Sequence, residues 1–150
     1  MNHESYIKKC IELAKKSESR KEVPVGSLLI IDNEIIFEAH NSPINDEDPT
    51  SHAEINVIRK ACKKINNYRL NNATLYISLE PCIMCVGAIS EARISHVIFG
   101  AYVDDEKKFI EKISFYKKNC SLDHIPKFKG GVLKEECSLI IKNFFKRKRC

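Results

Sequence analysis

The chain lacks any stretch that could cross a bilayer: its apolar runs, such as Ile83 to Ile89, fall far short of the roughly 20 residues a membrane helix needs. It also lacks, from Met1 to Cys10, the apolar core of a secretory signal. A soluble, cytoplasmic protein is therefore expected. Glycine and proline occur only five times each, with hydrophobic residues at 43% and charged residues at 30%, which argues against a fibrous or disordered chain. No internal repeat or low-complexity segment interrupts it. A chain of 150 residues suits one domain, 1–150, which on folding buries roughly 70% of the surface its unfolded form exposes. An even disulfide framework is missing as well. The seven cysteines, at 10, 62, 82, 85, 120, 137 and 150, form one tight cluster and five scattered positions, a pattern that favours reduced thiols and a metal.

The first two thirds of the chain also lack a basic excess. Residues 1–100 carry 12 Lys and Arg against 13 Asp and Glu, whereas residues 101–150 carry 13 against 7, so the formal net charge of +5 arises wholly in the last third. The excess culminates in Lys146, Arg147, Lys148 and Arg149, directly after Phe144 and Phe145. Aromatic and basic residues in that order suit a nucleic-acid contact, and a solvated helix end has the same composition.

Ile7, Cys10, Ile11 and Ala14 recur at helical spacing and predict a helix over about 3–18. Val25 to Ile31 and Ile35 to Ala39 read as a hairpin joined through Asp32, Asn33 and Glu34, and 40–50 reads as a loop. A helix from about His52 to Ile65 is expected to bury Ile55, Ile58, Cys62 and Ile65. Thr74 to Leu79 is a strand, 82–92 a buried helix behind Pro81, and Ile94 to Ala101 a strand. Residues 107–117 read as a helix, 118–131 as a loop, and Lys134 to Arg147 as a last helix with Cys137, Ile140, Ile141 and Phe144 inward. Helices alternating with strands after an opening hairpin imply an α/β fold, a three-layer α/β/α sandwich around a mixed sheet of about five strands.

Both chemical motifs fall at helix starts. His52-Ala53-Glu54 opens one helix and Pro81-Cys82-Ile83-Met84-Cys85 opens another. At a helix start Cys82 and Cys85 stand one turn apart on one face, so both thiolates can reach a single zinc ion, with His52 as third ligand from the neighbouring helix. Helix N-termini also lower thiol pKa values. Three protein ligands leave the fourth tetrahedral position open, the mark of a catalytic site, and His3, His40, His96 and His124 stand in no motif that would fill it. Glu54, two residues beyond His52, suits a proton shuttle between water and substrate. Each feature alone has a plainer reading: Ser51 to Glu54 matches a capping box, Cys82-x-x-Cys85 matches a redox pair, and His52 can be an ordinary helix-start residue. Their conjunction, H-x-E then P-C-x-x-C at the next helix start, is the signature of zinc nucleobase deaminases.

With these motifs the chain resembles the bacterial tRNA adenosine deaminases, which form inosine at the wobble position, within the cytidine-deaminase-like superfamily. Further segments carrying the likeness are Glu22-Val23-Pro24-Val25-Gly26, Asn41 to Ile44, Asp48-Pro49-Thr50, Asn67 to Leu70, Leu75 to Gly87, Arg93-Ile94, Phe99-Gly100-Ala101 and the tail from Phe144 to Arg149. The resemblance implies that Asn41 hydrogen-bonds the flipped base, where a plain turn residue is the alternative. It also implies that the tail, Phe145 with Lys146, Arg147, Lys148 and Arg149, grips the anticodon stem-loop, and that the chain forms a homodimer. One segment departs from the family: Tyr102 to Phe109 is acidic where those enzymes carry a glycine-containing loop. Two other functions fit parts of the pattern. A deaminase of a free base or nucleotide, of guanine, cytosine or dCMP type, would share the zinc site but not need the basic tail. A non-catalytic zinc RNA-binding module would keep the tail and not need Glu54.

Overall fold

The computed structural model describes residues 2–149, so Met1 and Cys150, the ends of the expected domain, lie outside the described residues. Helix α1, His3–Ser19, starts where the Asn2 side chain accepts a hydrogen bond from the Ser5 amide. Strands β1, Gly26–Ile31, and β2, Glu34–His40, form the expected hairpin. Its two linking residues, Asp32 and Asn33, both have positive φ, the backbone of a turn that matches strand twist. Then follow α2, Ala53–Ile65, β3, Thr74–Leu79, α3, Ile83–Glu91, β4, His96–Ala101, α4, Glu106–Asn119, β5, Lys127–Lys129, and α5, Lys134–Lys148.

The sheet order is β2-β1-β3-β4-β5, with β1 antiparallel to both neighbours and β3, β4 and β5 parallel. Alternation sorts the strand side chains onto two faces. Leu75, Ile77, Val97 and Phe99 point at Val57 of α2, Ile89 of α3 and Phe109 of α4. Leu28, Ile30, Tyr76 and Ile98 point at Tyr6, Ile7 and Cys10 of α1 and Cys137 of α5. The expected three-layer sandwich is thus the observed one. The fifth strand falls in a segment expected to be loop. Its three residues, Lys127, Phe128 and Lys129, hold one inward side chain, and Phe128 meets Phe109 edge-on with ring centroids 5.3 Å apart. A run so short, flanked by lysines, shows no period.

The buried stripe of α2 differs from the expected one. Ala53, Glu54, Ile55, Val57 and Ala61 are buried, while Ile58, Cys62 and Ile65 are only partly so. The small residues face the sheet because the helix packs close on β1 and β2. Among the described residues no helix is long and apolar enough to cross a membrane, and Cys10, Cys62, Cys82, Cys85, Cys120 and Cys137 are all free.

Close approach of α1 to β1 depends on Gly26. A Cβ there would collide with the Cys10 carbonyl oxygen and stand 2.6 Å from Leu13 Cβ. Gly26→Ala is therefore expected to destabilise the fold by about 1–3 kcal/mol through overpacking. Urea unfolding checks this, and an unchanged midpoint would show that α1 can move aside.

Candidate active site

Parallel strands β3 and β4 end together, and the chain leaves them into Glu80-Pro81-Cys82 and Tyr102-Val103, with the Glu80 amide still donating to the Ala101 carbonyl. The starts of α2 and α3 lie at this same end, where open α/β sheets place their ligands. A cavity of about 400 Å³ opens there, and its walls include Asn41, His52, Glu54, Cys82, Lys112 and Tyr116.

His52 is the N-cap of α2 and Cys82 the N-cap of α3, and neither uses its side chain to cap. Those side chains instead converge: His52 Nδ1 lies 3.6 Å from Cys82 Sγ and 3.6 Å from Cys85 Sγ. All three ligand atoms lie within 4.8 Å of one another. Nitrogen and sulfur ligands of one tetrahedral ion, at their usual bond lengths, stand about 3.6 Å apart. The donors therefore fit a metal, and a third donor equidistant from both sulfurs is what a simple dithiol pair would not have. Of the other histidines, His3 is engaged with the Tyr76 hydroxyl and His124 with the Ile94 carbonyl. Hydrogen bonds from Cys85 and His52 bring the Cys82 thiol down to about 4, against the cost of burial. Cys85, donating to that thiolate and itself buried, is shifted upward.

Glu54 is buried, 4% exposed, and stands outside the three-ligand group. Burial raises its carboxyl pKa, opposed in part by hydrogen bonds from its own amide and from Cys85. The capping-box alternative does not hold. The Ser51 amide that Glu54 would have capped donates to the Asp48 carbonyl instead, and the helix begins one residue later. Asn41 is buried at 7% exposure, with its backbone carbonyl accepting from Ser17 Oγ and its amide donating to the Val25 carbonyl. No hydrogen bond to another described residue engages its side chain, which leaves the carboxamide to the cavity.

Polar residues with distant partners hold this arrangement, and the motifs did not reveal them. Glu22, 1% exposed, accepts hydrogen bonds from the Ile44 and Asn45 amides at 3.2 and 2.8 Å. Burial opposes its ionisation, but those bonds and a third from the Asn45 side chain outweigh it and hold the carboxyl below its usual pKa. Asn56 of α2 donates to the carbonyls of His40 and Ser51 and to Ser42 Oγ, closing the loop that leads into His52. Glu80 accepts from the Val103 amide and pairs with Lys112.

The tail is only partly as expected. Phe144 is buried and Phe145 is 40% exposed, as the apolar stripe of α5 predicts. Arg147 is not free, however: its guanidinium lies 2.6 Å from Glu18 of α1, because the last turn of α5 crosses the end of that helix. The Lys148 ammonium sits 5.6 Å from the centroid of the Phe144 ring.

A family model, MafB19-like deaminase, matches residues 1–149. The chain is 47% identical over 149 residues to the tRNA-specific adenosine deaminase of Buchnera aphidicola subsp. Baizongia pistaciae, covering 97% of this chain and 90% of that one. The chain belongs to the tRNA-specific adenosine deaminases. It is a hydrolytic deaminase with a cytidine-deaminase-like fold. A solved structure from a study of tRNA:A34 deaminases superposes with a TM-score of 0.80 at 33% identity, covering 91% of this chain and 98% of the other. A guanine deaminase from Bacillus subtilis superposes with a TM-score of 0.67 at 34% identity, covering 99% and 94%.

This deaminase is expected to hold about one tightly bound metal ion per chain, and Cys85→Ala to lose it. Elemental analysis of both proteins checks the assignment, and full metal content in the variant would refute it.

Proposed function

We propose that this chain hydrolyses adenosine to inosine at the wobble position of a tRNA anticodon. The observation that carries the reading is a single cavity lined by His52 and Cys82, with Cys85 buried behind them in the same three-ligand group, and by the buried Glu54 carboxyl and the uncommitted Asn41 side chain. His52, Cys82 and Cys85 would hold a zinc ion, and that ion would supply the Lewis acidity that makes water nucleophilic at neutral pH. Water adds at C6 of the base and the exocyclic amine leaves as ammonia. Glu54 takes the proton from water, delivers it to the ring nitrogen beside C6, and carries the next to the departing amine. A carboxyl whose pKa is raised by burial is suited to both directions of transfer. Asn41 orients the flipped base through its carboxamide.

The substrate reading rests on the relatives at up to 47% identity over nearly the whole chain. The fold likeness to a guanine deaminase keeps a free base as the competing substrate. A single domain over 1–150, a cytoplasmic setting and a homodimer belong to the same proposal. Ile83 and Val103, both more than half exposed beside the cavity, are apolar surface that RNA or a second subunit would cover. In the tail, Phe145, Lys146, Lys148 and Arg149 are the RNA-binding candidates, with Arg147 tethering them to Glu18.

Incubation with bulk tRNA followed by nuclease digestion is expected to yield inosine, with no product from free guanine or cytosine. Glu54→Gln is expected to keep metal and fold while losing roughly 10²- to 10⁴-fold in single-turnover rate. Guanine turnover without inosine in tRNA would replace this reading by the free-base one.

Truncation after Phe145 is expected to flatten the log-log salt dependence of stem-loop binding by about two to three units, at somewhat under one unit per phosphate contact. Metal content should not change. The surface pair lost with Arg147 is worth no more than about 1 kcal/mol of stability, so a matching melting temperature would isolate the binding effect. Equal slopes for the two proteins would remove the tail from the RNA site.

A further inference from the structure

The acidic segment from Tyr102 to Phe109 does not stay clear of the cavity, which Val103 helps to line. It continues into α4, and Lys112 and Tyr116, one turn apart on that helix, form part of the cavity wall. Lys112 is placed there by a buried carboxylate. Glu80 has a side chain only 4% exposed, and its Oε2 lies 3.4 Å from Lys112 Nζ while Oε1 accepts from the Val103 amide. Glu80 thus fixes both the start of the acidic segment and the cation on α4 at one edge of the site.

An ammonium has three donors and no acceptor. One is directed at Glu80, and the remaining two are available to a ligand, since the Lys112 side chain is 39% exposed. The ligand they suit is an anion: α4 carries five lysines against two glutamates, and Lys binds phosphate as a point charge. A free base offers no phosphate, whereas a nucleotide within a strand offers one on each side of its sugar.

Resting on the functional reading above, we infer that Lys112, positioned by Glu80, binds a backbone phosphate next to the reacting nucleotide, with Tyr116 flanking it. This wall of the cavity makes the site selective for a base carried in a strand.

The test uses the full-length, metal-loaded protein and an anticodon stem-loop. Lys112→Gln is expected to raise KM about tenfold with kcat nearly unchanged, as loss of uniform binding does, and to lower the log-log salt slope by about 0.7–0.9. Lys112→Arg should restore both. A stem-loop with a methylphosphonate at one linkage beside the target adenosine should bind wild type and Lys112→Gln equally, which identifies the phosphate. Because Lys112→Gln strands a buried carboxylate, the pair Glu80→Gln with Lys112→Gln is measured too, and it should melt near wild type yet keep the raised KM and the flattened slope. An unchanged slope in both variants, with only the melting temperature lowered, would make the ion pair structural and overturn the inference while leaving the function standing. Wild-type protein that leaves the stem-loop unedited would overturn the functional reading, and this inference with it.

Discussion

Two thiols and an imidazole within hydrogen-bonding reach of one another are an expensive thing for a fold to hold, because the arrangement that suits a cation exposes each group to the charge of the next. Hydrogen bonds from Cys85 and His52 favour the Cys82 thiolate while Cys85 is shifted the other way, a division that a bound cation would relieve by favouring both thiolates together. The rest of the molecule can be understood as what is needed to keep this triad assembled. The starts of α2 and α3 must meet at the ends of β3 and β4, so the sheet has to be covered closely, which Gly26 permits for α1. The loop before His52 must be held rigid. Asn56, reaching back from α2 to His40, Ser42 and Ser51, closes that loop, while Glu22 fixes its middle.

Three buried carboxylates surround the site, and their surroundings give them different tasks. Glu22 is saturated by backbone and side-chain amides of Ile44 and Asn45 and is held ionised, so it organises the loop. Glu80 has a backbone donor and an ammonium. Glu54 has the least compensation for its burial and is shifted toward the neutral form. Glu54 is therefore the one of the three whose burial is least offset by hydrogen bonds, the condition that a proton-transferring carboxyl requires.

The chemistry was legible because its constraints are local. His52 with Glu54, and Cys82 with Cys85, are tied to helix starts by spacings of two and three residues, and the structure brings His52, Cys82 and Cys85 together as that spacing requires. Glu22, Asn56 and Glu80 were not legible, since each acts on a residue 14 to 23 positions away and no periodicity marks such a pair. The same reason hid β5, which is defined by its partner β4 and not by its own three residues. In α2 the helix itself was plain from its apolar repeat, but which stripe is buried depends on how near the sheet lies, and small Ala53 and Ala61 won over larger Ile58 and Ile65. The pairing of Arg147 was hidden because Glu18 lies at the opposite end of the sequence.

The basic last third, a single feature in the sequence, is divided by the fold among different places. Lys112 faces the cavity at the ends of β3 and β4. Lys127 and Lys129 line a separate groove with His3 and His96, at the end where β3 and β4 begin, so a ligand in the cavity is a strand's length away from them. The tail lies against the end of α1, and this end is coupled to the site: Ser17 donates to the Asn41 carbonyl one residue before the Glu18 that holds Arg147. The cation at the cavity is thereby separated from the charge on β5. Net charge sets the strength of attraction for an anion, and the positions of Glu18 and Glu80, the two carboxylates that pair with Arg147 and Lys112, fix where two of those cations stand.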